Sequence, residues 1–244
     1  MAAGTTRPAR DPNWISGAPD EFGAAVTGKR SGYLPALSYD WLTPLYDPLV
    51  RLTTRELAFK RGLVMQANLR KGLRILDLGC GTGTLMLLAS ATCPGMQVVG
   101  LDGDFRILGI AQSKGGRQGK RLGLVCGFSF ELPYPDASFD RVLSTLMLHH
   151  LSRSDKLRTL REAFRVLRPG GELHVADWGK PHNVLMTAAS AALRVGGHHH
   201  DRISDNLSGR LPEIFRNAGF EAVQDRTQFS TWFGTLALYS ARKP

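Results

Sequence analysis

The chain has 244 residues, 43% of them hydrophobic, and 31 Lys and Arg against 21 Asp and Glu give a formal charge of +10. This length suffices for a real core in one large domain with an appendage. No apolar run approaches the roughly 20 residues of a membrane-spanning helix, and MAAGTTRPARDPNW carries no apolar signal core, so a cytoplasmic location is expected. Cys80, Cys93 and Cys126 show no CxxC spacing, which points away from both a disulfide framework and a zinc site.

Residues 1–32 are rich in Gly, Pro, Ala and charge without a clear period, and are expected to form a loose arm. Residues 33–70 carry apolar residues at helical spacings, broken at Pro44 and Pro48. This predicts one or two short helices capping a larger unit, residues 71–244. Within that unit, strands and helices alternate from Arg74 onward. Arg74 to Gly79 forms a first apolar strand, Thr84 to Ala91 a helix, Met96 to Asp102 a second strand, and Asp104 a cap for the helix that follows. Leu122 to Phe128 and Phe139 to Leu148 are the third and fourth strands. A serine-capped helix from Ser154 to Leu167 stops at Pro169-Gly170-Gly171, and Glu172 to Trp178 is the fifth strand. The pattern predicts an α/β fold with a mostly parallel sheet covered on both faces. Residues 179–210 are expected to form a lid-like insertion, a helix running into a Gly/His-rich loop. Leu211 to Ala218 reads as a short helix, and two last strands, 220–226 and 231–242, are separated by a polar turn and bring an antiparallel pairing to the end of the sheet.

In such sheets ligands sit beyond the carboxyl ends of the strands. The first strand feeds Asp77-Leu78-Gly79-Cys80-Gly81-Thr82-Gly83-Thr84, where glycines allow a tight turn and close approach to a ligand. A dinucleotide fingerprint would place its third glycine at position 84, which is Thr84. Asp77 would repel a pyrophosphate but attract a ligand with ammonium and sulfonium charges, which favours S-adenosylmethionine. Asp102, at the end of the second strand and followed by Gly103, lies near the spacing of about 20 residues expected of a ribose-binding acid. Cys80 fits the loop as a small residue, with a reactive thiol as the alternative.

ILDLGCGTGT, the acid in VVGLDGD, LPYPDASFDRV, LMLHHL and REAFRVLRPGGELHVADW together resemble the class I S-adenosylmethionine-dependent methyltransferases, in the branch with the ubiquinone and menaquinone C-methyltransferases. The resemblance spans roughly residues 37–244. It implies a Rossmann-like, seven-stranded sheet with the last strand antiparallel. It also implies that Asp77, Gly79 and Gly81 surround the methionine part of the cofactor and that Asp102 holds the ribose. Tyr39-Asp40 is similar to a pair that opens the quinone enzymes, where the tyrosine reaches the cofactor, and Arg51 corresponds to a basic residue able to pair with the cofactor carboxylate. Ser144 and Thr145 sit where relatives contact the amino group through backbone. Phe128 departs from the pattern, since an acid usually stands there to bond the adenine amino group. Adenine is then held by stacking and by backbone N–H groups near Ser129, or Phe128 is core. The serine-glycine-histidine-arginine run of the quinone enzymes is absent.

Alignment and desolvation can supply much of the rate of methyl transfer, and a base is required only where the nucleophile loses a proton. His149 and His150, beyond the fourth strand, are the candidates, with packing and a backbone hydrogen bond as the alternative. Asp177 faces the same edge. His198, His199, His200 and Asp201 could ligate metal only from an irregular loop and have no second ligand group at a recognised spacing, so no metal is expected. Tyr39, Trp41, Tyr46, Trp178 and Met186 would suit an apolar acceptor or ordinary packing. The expected activity is methyl transfer to carbon or oxygen of an aromatic, polyketide-like or quinone-like small molecule. The rivals are a non-catalytic cofactor-binding module and an RNA or protein methyltransferase. The scattered basic residues, Lys60 and Arg165 among them, predict a solvated surface, and no nucleic-acid partner is expected. Peripheral contact with a membrane is left open.

Overall fold

The computed structural model describes residues 56–195 and 200–244. In chain order it holds α1 (Glu56–Gln66), β1 (Arg74–Leu78), α2 (Thr84–Thr92), β2 (Gln97–Asp102), α3 (Phe105–Gly116), β3 (Gly123–Cys126), β4 (Phe139–Thr145), a 3-10 turn (Leu148–His150) and α4 (Arg153–Val166). β5 (Leu167–Trp178), α5 (Val184–Val195), α6 (His200–Leu207), α7 (Leu211–Asn217), β6 (Glu221–Thr231) and β7 (Gly234–Arg242) complete it. Tyr39, Trp41, Tyr46, Arg51, His198 and His199 lie outside the described residues.

The strands form one sheet in the order β3-β2-β1-β4-β5-β7-β6. β1 to β5 are parallel, and β7 runs antiparallel to both β5 and β6. Alternate side chains of a strand face opposite sides, and the central strands are apolar on both. Ile75 packs with Phe59 and Leu63 of α1 and Leu85 of α2, whereas its neighbour Leu76 packs with Leu160 of α4 and Phe215 of α7. Two apolar layers therefore flank the sheet, which is what continuous apolar strands require.

Several boundaries differ from the sequence expectation. Ser152, not a residue inside the helix, caps α4 by accepting from the Asp155 N–H at 3.1 Å. Pro169-Gly170-Gly171 does not separate α4 from a later strand. β5 begins at Leu167, pairs with Phe139, bulges, and resumes pairing at Glu172 with Arg141, the bulge being tied to Lys243 through its backbone. His200 and Asp201 belong to a helix, α6, rather than to a loop. The last hairpin does not turn over polar residues: β6 continues to Thr231, and the turn is made by Trp232 and Phe233.

Candidate functional site

β1, β2 and β4 end along one edge of the sheet, and a cleft opens above them, lined by Gly79, Cys80, Gly81, Asp102, Gly103, Phe128, Ser129, Thr145 and His150 among others. Nine of the predicted site residues thus converge although they come from four separate chain segments. Three described ones do not line it. Asp77 lies beneath the turn, fully buried, and Ser144 points into the sheet, where its hydroxyl donates to the Leu78 carbonyl at 2.8 Å. His149 faces Asp177 instead of the cleft.

The glycine turn depends on its backbone geometry. Gly79 has φ of 74°, and a Cβ there would sit 2.5 Å from the Met147 side chain; Gly81 has φ of 51° and open space where a Cβ would stand. Any larger residue at 79 would collide, and one at 81 would occupy the cleft. The Gly81 N–H donates to Asp102 Oδ2 at 2.8 Å and the Asp104 N–H to Oδ1 at 3.0 Å. These bonds fix the Asp102 carboxylate at the rim with acceptor capacity to spare. Burial raises its pKa against those hydrogen bonds.

Asp77 carries the strongest electrostatic signal. Neither carboxylate oxygen has a hydrogen-bond partner among the described residues, and burial pushes its pKa up to about 7, opposed by Lys60 and reinforced by Asp102. A buried carboxylate left without partners is costly. A cation seated on the turn would relieve that cost. Cys80 is buried, and desolvation with the charges of Asp77 and Asp102 holds its thiol well above the usual range, so it is not poised as a nucleophile.

Two basic residues expected on the solvated surface instead build the cleft. Lys60 of α1 is buried, lines the cleft and pairs with Glu56 at 2.6 Å. Glu56 is also buried, and its Oε2 has no partner among the described residues. Only the helical (i, i+4) spacing of the two residues hinted at the pair. Arg165 of α4 donates to the Tyr134 carbonyl at 2.8 Å, the Leu132 carbonyl at 3.1 Å and Asp136 at 2.8 Å. Glu162, its partner at 2.7 Å, accepts from the Leu132 N–H. This fork pins the loop after Phe128. Phe128 and Phe130 stack there at 5.2 Å between ring centroids and 7° between planes, both on the cleft wall.

Across the cleft, the 3-10 turn presents two imidazoles whose centroids are 4.0 Å apart. His150 lines the cleft, while His149 Nδ1 meets Asp177 Oδ1 at 2.8 Å. Asp177 is wholly buried at the end of β5. Burial opposes its charge, but His149, the Trp178 N–H and His150 outweigh it and hold the carboxyl below its ordinary range. α6 closes this side. Arg202 donates to the His150 carbonyl at 3.1 Å, Lys156 of α4 donates to the Arg202 carbonyl and pairs with Asp205, and Ile203 and Leu207 pack on Trp178. Among the described residues no group of three His, Cys, Asp or Glu is placed to hold a metal ion, and no helix is long and apolar enough to cross a membrane.

A methyltransferase domain family matches residues 75–171. A demethylmenaquinone methyltransferase of Listeria monocytogenes is 30% identical over 207 residues, covering 76% of this chain and 86% of that protein. One of Thermus thermophilus is 36% identical over 142 residues, 57% of this chain and 64% of that one. A putative methyltransferase of Encephalitozoon cuniculi is 32% identical, covering 66% of this chain and 77% of that protein. Among solved structures, the [4+2]-cyclase SpnF superposes with a TM-score of 0.62 at 26% identity, over 77% of this chain and 81% of that one. A phosphoethanolamine N-methyltransferase of Haemonchus contortus with bound S-adenosyl-L-methionine shares the fold at TM-score 0.59 and 19% identity, over 77% of this chain and 52% of that one.

Proposed function

Since this chain belongs to the class I S-adenosylmethionine-dependent methyltransferases related to the quinone methyltransferases, we propose that it methylates carbon or oxygen of an apolar, aromatic small molecule bearing an acidic hydroxyl. The observation that carries this is a cleft with an unpartnered buried carboxylate beneath its glycine turn and, on the far wall, His150 packed against a His149 held by Asp177.

The residues fit the cofactor. Asp77 under an open glycine turn suits the charge of the methionine part, and Asp102 retains acceptor sites for ribose hydroxyls. Phe128 and Phe130 offer an aromatic face for adenine in place of the acid found in relatives. Lys60 and Glu56 can divide between them the carboxylate and ammonium of the amino-acid end. Gly79, Cys80, Gly81, Gly103, Ser129 and Thr145 contribute chiefly backbone. When bound, S-adenosylmethionine supplies a methyl group on a sulfonium that needs no further activation.

The acceptor side of the cleft is apolar, with Leu146, Met147 and Leu151, and His150 is its titratable group. His150 is the catalytic residue in this reading: it takes the proton of the acceptor hydroxyl, which makes the oxygen, or the ring carbon conjugated to it, nucleophilic. His149 and Asp177 are positioning residues. Asp177 fixes the His149 ring, and its negative charge favours the imidazolium formed next to it. The apolar wall excludes water, which strengthens alignment and these charge effects.

The test is transfer of a labelled methyl group from S-adenosylmethionine to prenylated hydroquinones, simple phenols and polyketide-like enols. Labelled product is expected with apolar acceptors whose hydroxyl can ionise. Transfer only to RNA or protein, or cofactor binding without transfer to any acceptor of this kind, would overturn the proposal.

A further inference from the structure

We propose that the Asn206 side-chain amide is the specificity-determining group of the acceptor site, where it hydrogen-bonds a second, neutral hydroxyl of an aromatic acceptor. The inference rests on the proposed function for the reaction at the first hydroxyl.

Asn206 is fully buried in α6, and neither its Oδ1 nor its Nδ2 has a hydrogen-bond partner among the described residues. An amide that loses water at both ends without replacement costs stability. Both Asp77 oxygens and Glu56 Oε2 show the same signature on the cofactor wall. The helix cannot turn this amide out to solvent, because it is pinned on either side. Lys156 of α4 donates to the Arg202 carbonyl and pairs with Asp205 at 3.6 Å. The Arg202 guanidinium donates to the His150 carbonyl at 3.1 Å, and Ile203 and Leu207 pack on Trp178.

Helical spacing then places the amide. Asn206 follows Arg202 by four residues and Ile203 by three, so it shares a face with both and stands between the histidine turn and Trp178. The His149 ring occupies the same interval, its centroid 4.0 Å from that of His150 and 6.3 Å from that of Trp178. Leu146 joins this region to the cleft, since it lines the cleft and also packs against Trp178, Ile203 and Leu207. An acceptor ring with one hydroxyl at His150 extends past Leu146 toward Asn206.

The surroundings select the group that meets the amide. Trp178, Ile203, Leu207 and Leu146 suit an apolar ring. The buried charges nearby are already matched, Lys156 with Asp205 and Asp177 with His149, which leaves no counter-charge for an ionised substituent. A carboxamide carries donors and an acceptor together. A hydroxyl accepts from Nδ2 and donates to Oδ1, so it satisfies both atoms at once. An analogue without that hydroxyl leaves the amide unpaired and is rejected.

The test is anaerobic calorimetry of 1,4-dihydroxynaphthalene and 1-naphthol, which differ by one hydroxyl, on the full chain saturated with S-adenosylhomocysteine. Methyl transfer to each compound is then measured. Wild type is expected to prefer the dihydroxy compound at least tenfold in affinity and in kcat/KM. Asn206→Leu should erase that preference by weakening the dihydroxy compound alone, and Asn206→Ser, which keeps a hydroxyl, should retain part of it. S-adenosylhomocysteine affinity should stay within twofold in both variants. The Tm of the free protein should not fall in Asn206→Leu, because the amide has no bond to lose. Equal binding of the two compounds by wild type, or a preference that survives Asn206→Leu, would overturn the proposal. So would a Tm lowered by several degrees in Asn206→Leu, the sign of an amide held by the fold itself. An Asn206-dependent preference in binding without methyl transfer would instead defeat the proposed function and leave this inference standing.

Discussion

The two walls of the cleft are built by different means. The cofactor wall comes from one continuous β-turn-α unit and the strand beside it, residues 74–102, and its shape is set by backbone: positive φ at glycines and N–H groups donating to Asp102. The acceptor wall is assembled from the 3-10 turn, the end of β5 and α6, segments as much as 50 residues apart, and is held by side chains that include a buried Lys156–Asp205 pair and the His149–Asp177 contact. A wall made of backbone changes little when one side chain is replaced. One made of buried polar side chains depends on each of them.

The largest effect should break the cofactor wall at its one electrostatic weak point. Asp77→Asn is expected to weaken S-adenosylmethionine binding about 100-fold, roughly 2.7 kcal/mol, by calorimetry. The same variant should raise the Tm of the free protein at pH 8 by a few degrees, since it removes an unpartnered buried charge. Loss of both affinity and stability would mean that Asp77 serves packing instead.

On the other wall, His150→Ala should lower the methyl-transfer rate by about 10²–10⁴ with cofactor affinity within twofold. Asp177→Asn should lower it less and shift the rising limb of the rate profile to lower pH, as expected of a positioning group whose charge favours the imidazolium. An equal fall in cofactor affinity would merge the two walls into one unit.

pH sharpens the contrast further. The folded pKa of Asp77, about 7, lies above its ordinary value near 4. Its contribution to the stability of the free protein is therefore fully present below that ordinary value and is lost as pH rises through about 7. Cation binding runs the other way. Affinity should fall by up to tenfold per unit as pH drops below about 7, a dependence that Asp77→Asn abolishes.

The smaller effects separate parts of the cofactor. Lys60→Met should weaken S-adenosylhomocysteine about tenfold but leave methylthioadenosine, which lacks the amino-acid end, unchanged. Phe128→Ala should weaken both by about fivefold, on the order of 1 kcal/mol of lost stacking.

The same contrast explains what could be read from the sequence. The strand alternation and the Asp77 to Gly83 turn are local patterns, and the mostly parallel sheet and the placing of Gly81 and Asp102 at its carboxyl edge could be read from them, whereas the order of the strands could not and Phe128 was singled out only by the family resemblance. Lys60 and Arg165 looked like ordinary surface cations because their burial comes from distant partners: the sheet edge under α1 for one, and the carbonyls of Leu132 and Tyr134 for the other. α6 was hidden in a histidine-rich stretch because its stability comes from contacts on Trp178 and Lys156, not from helix propensity. The pairing of His149 with Asp177 could be guessed only from their common sheet edge. Their hydrogen bond is a tertiary fact.

The most direct measurement is proton uptake or release on cofactor binding, obtained by calorimetry at pH 6 in two buffers of different ionisation enthalpy. Close to one proton should leave the protein for each S-adenosylmethionine bound, and none in Asp77→Asn. Binding of normal strength without proton release, unchanged by that substitution, would contradict the account.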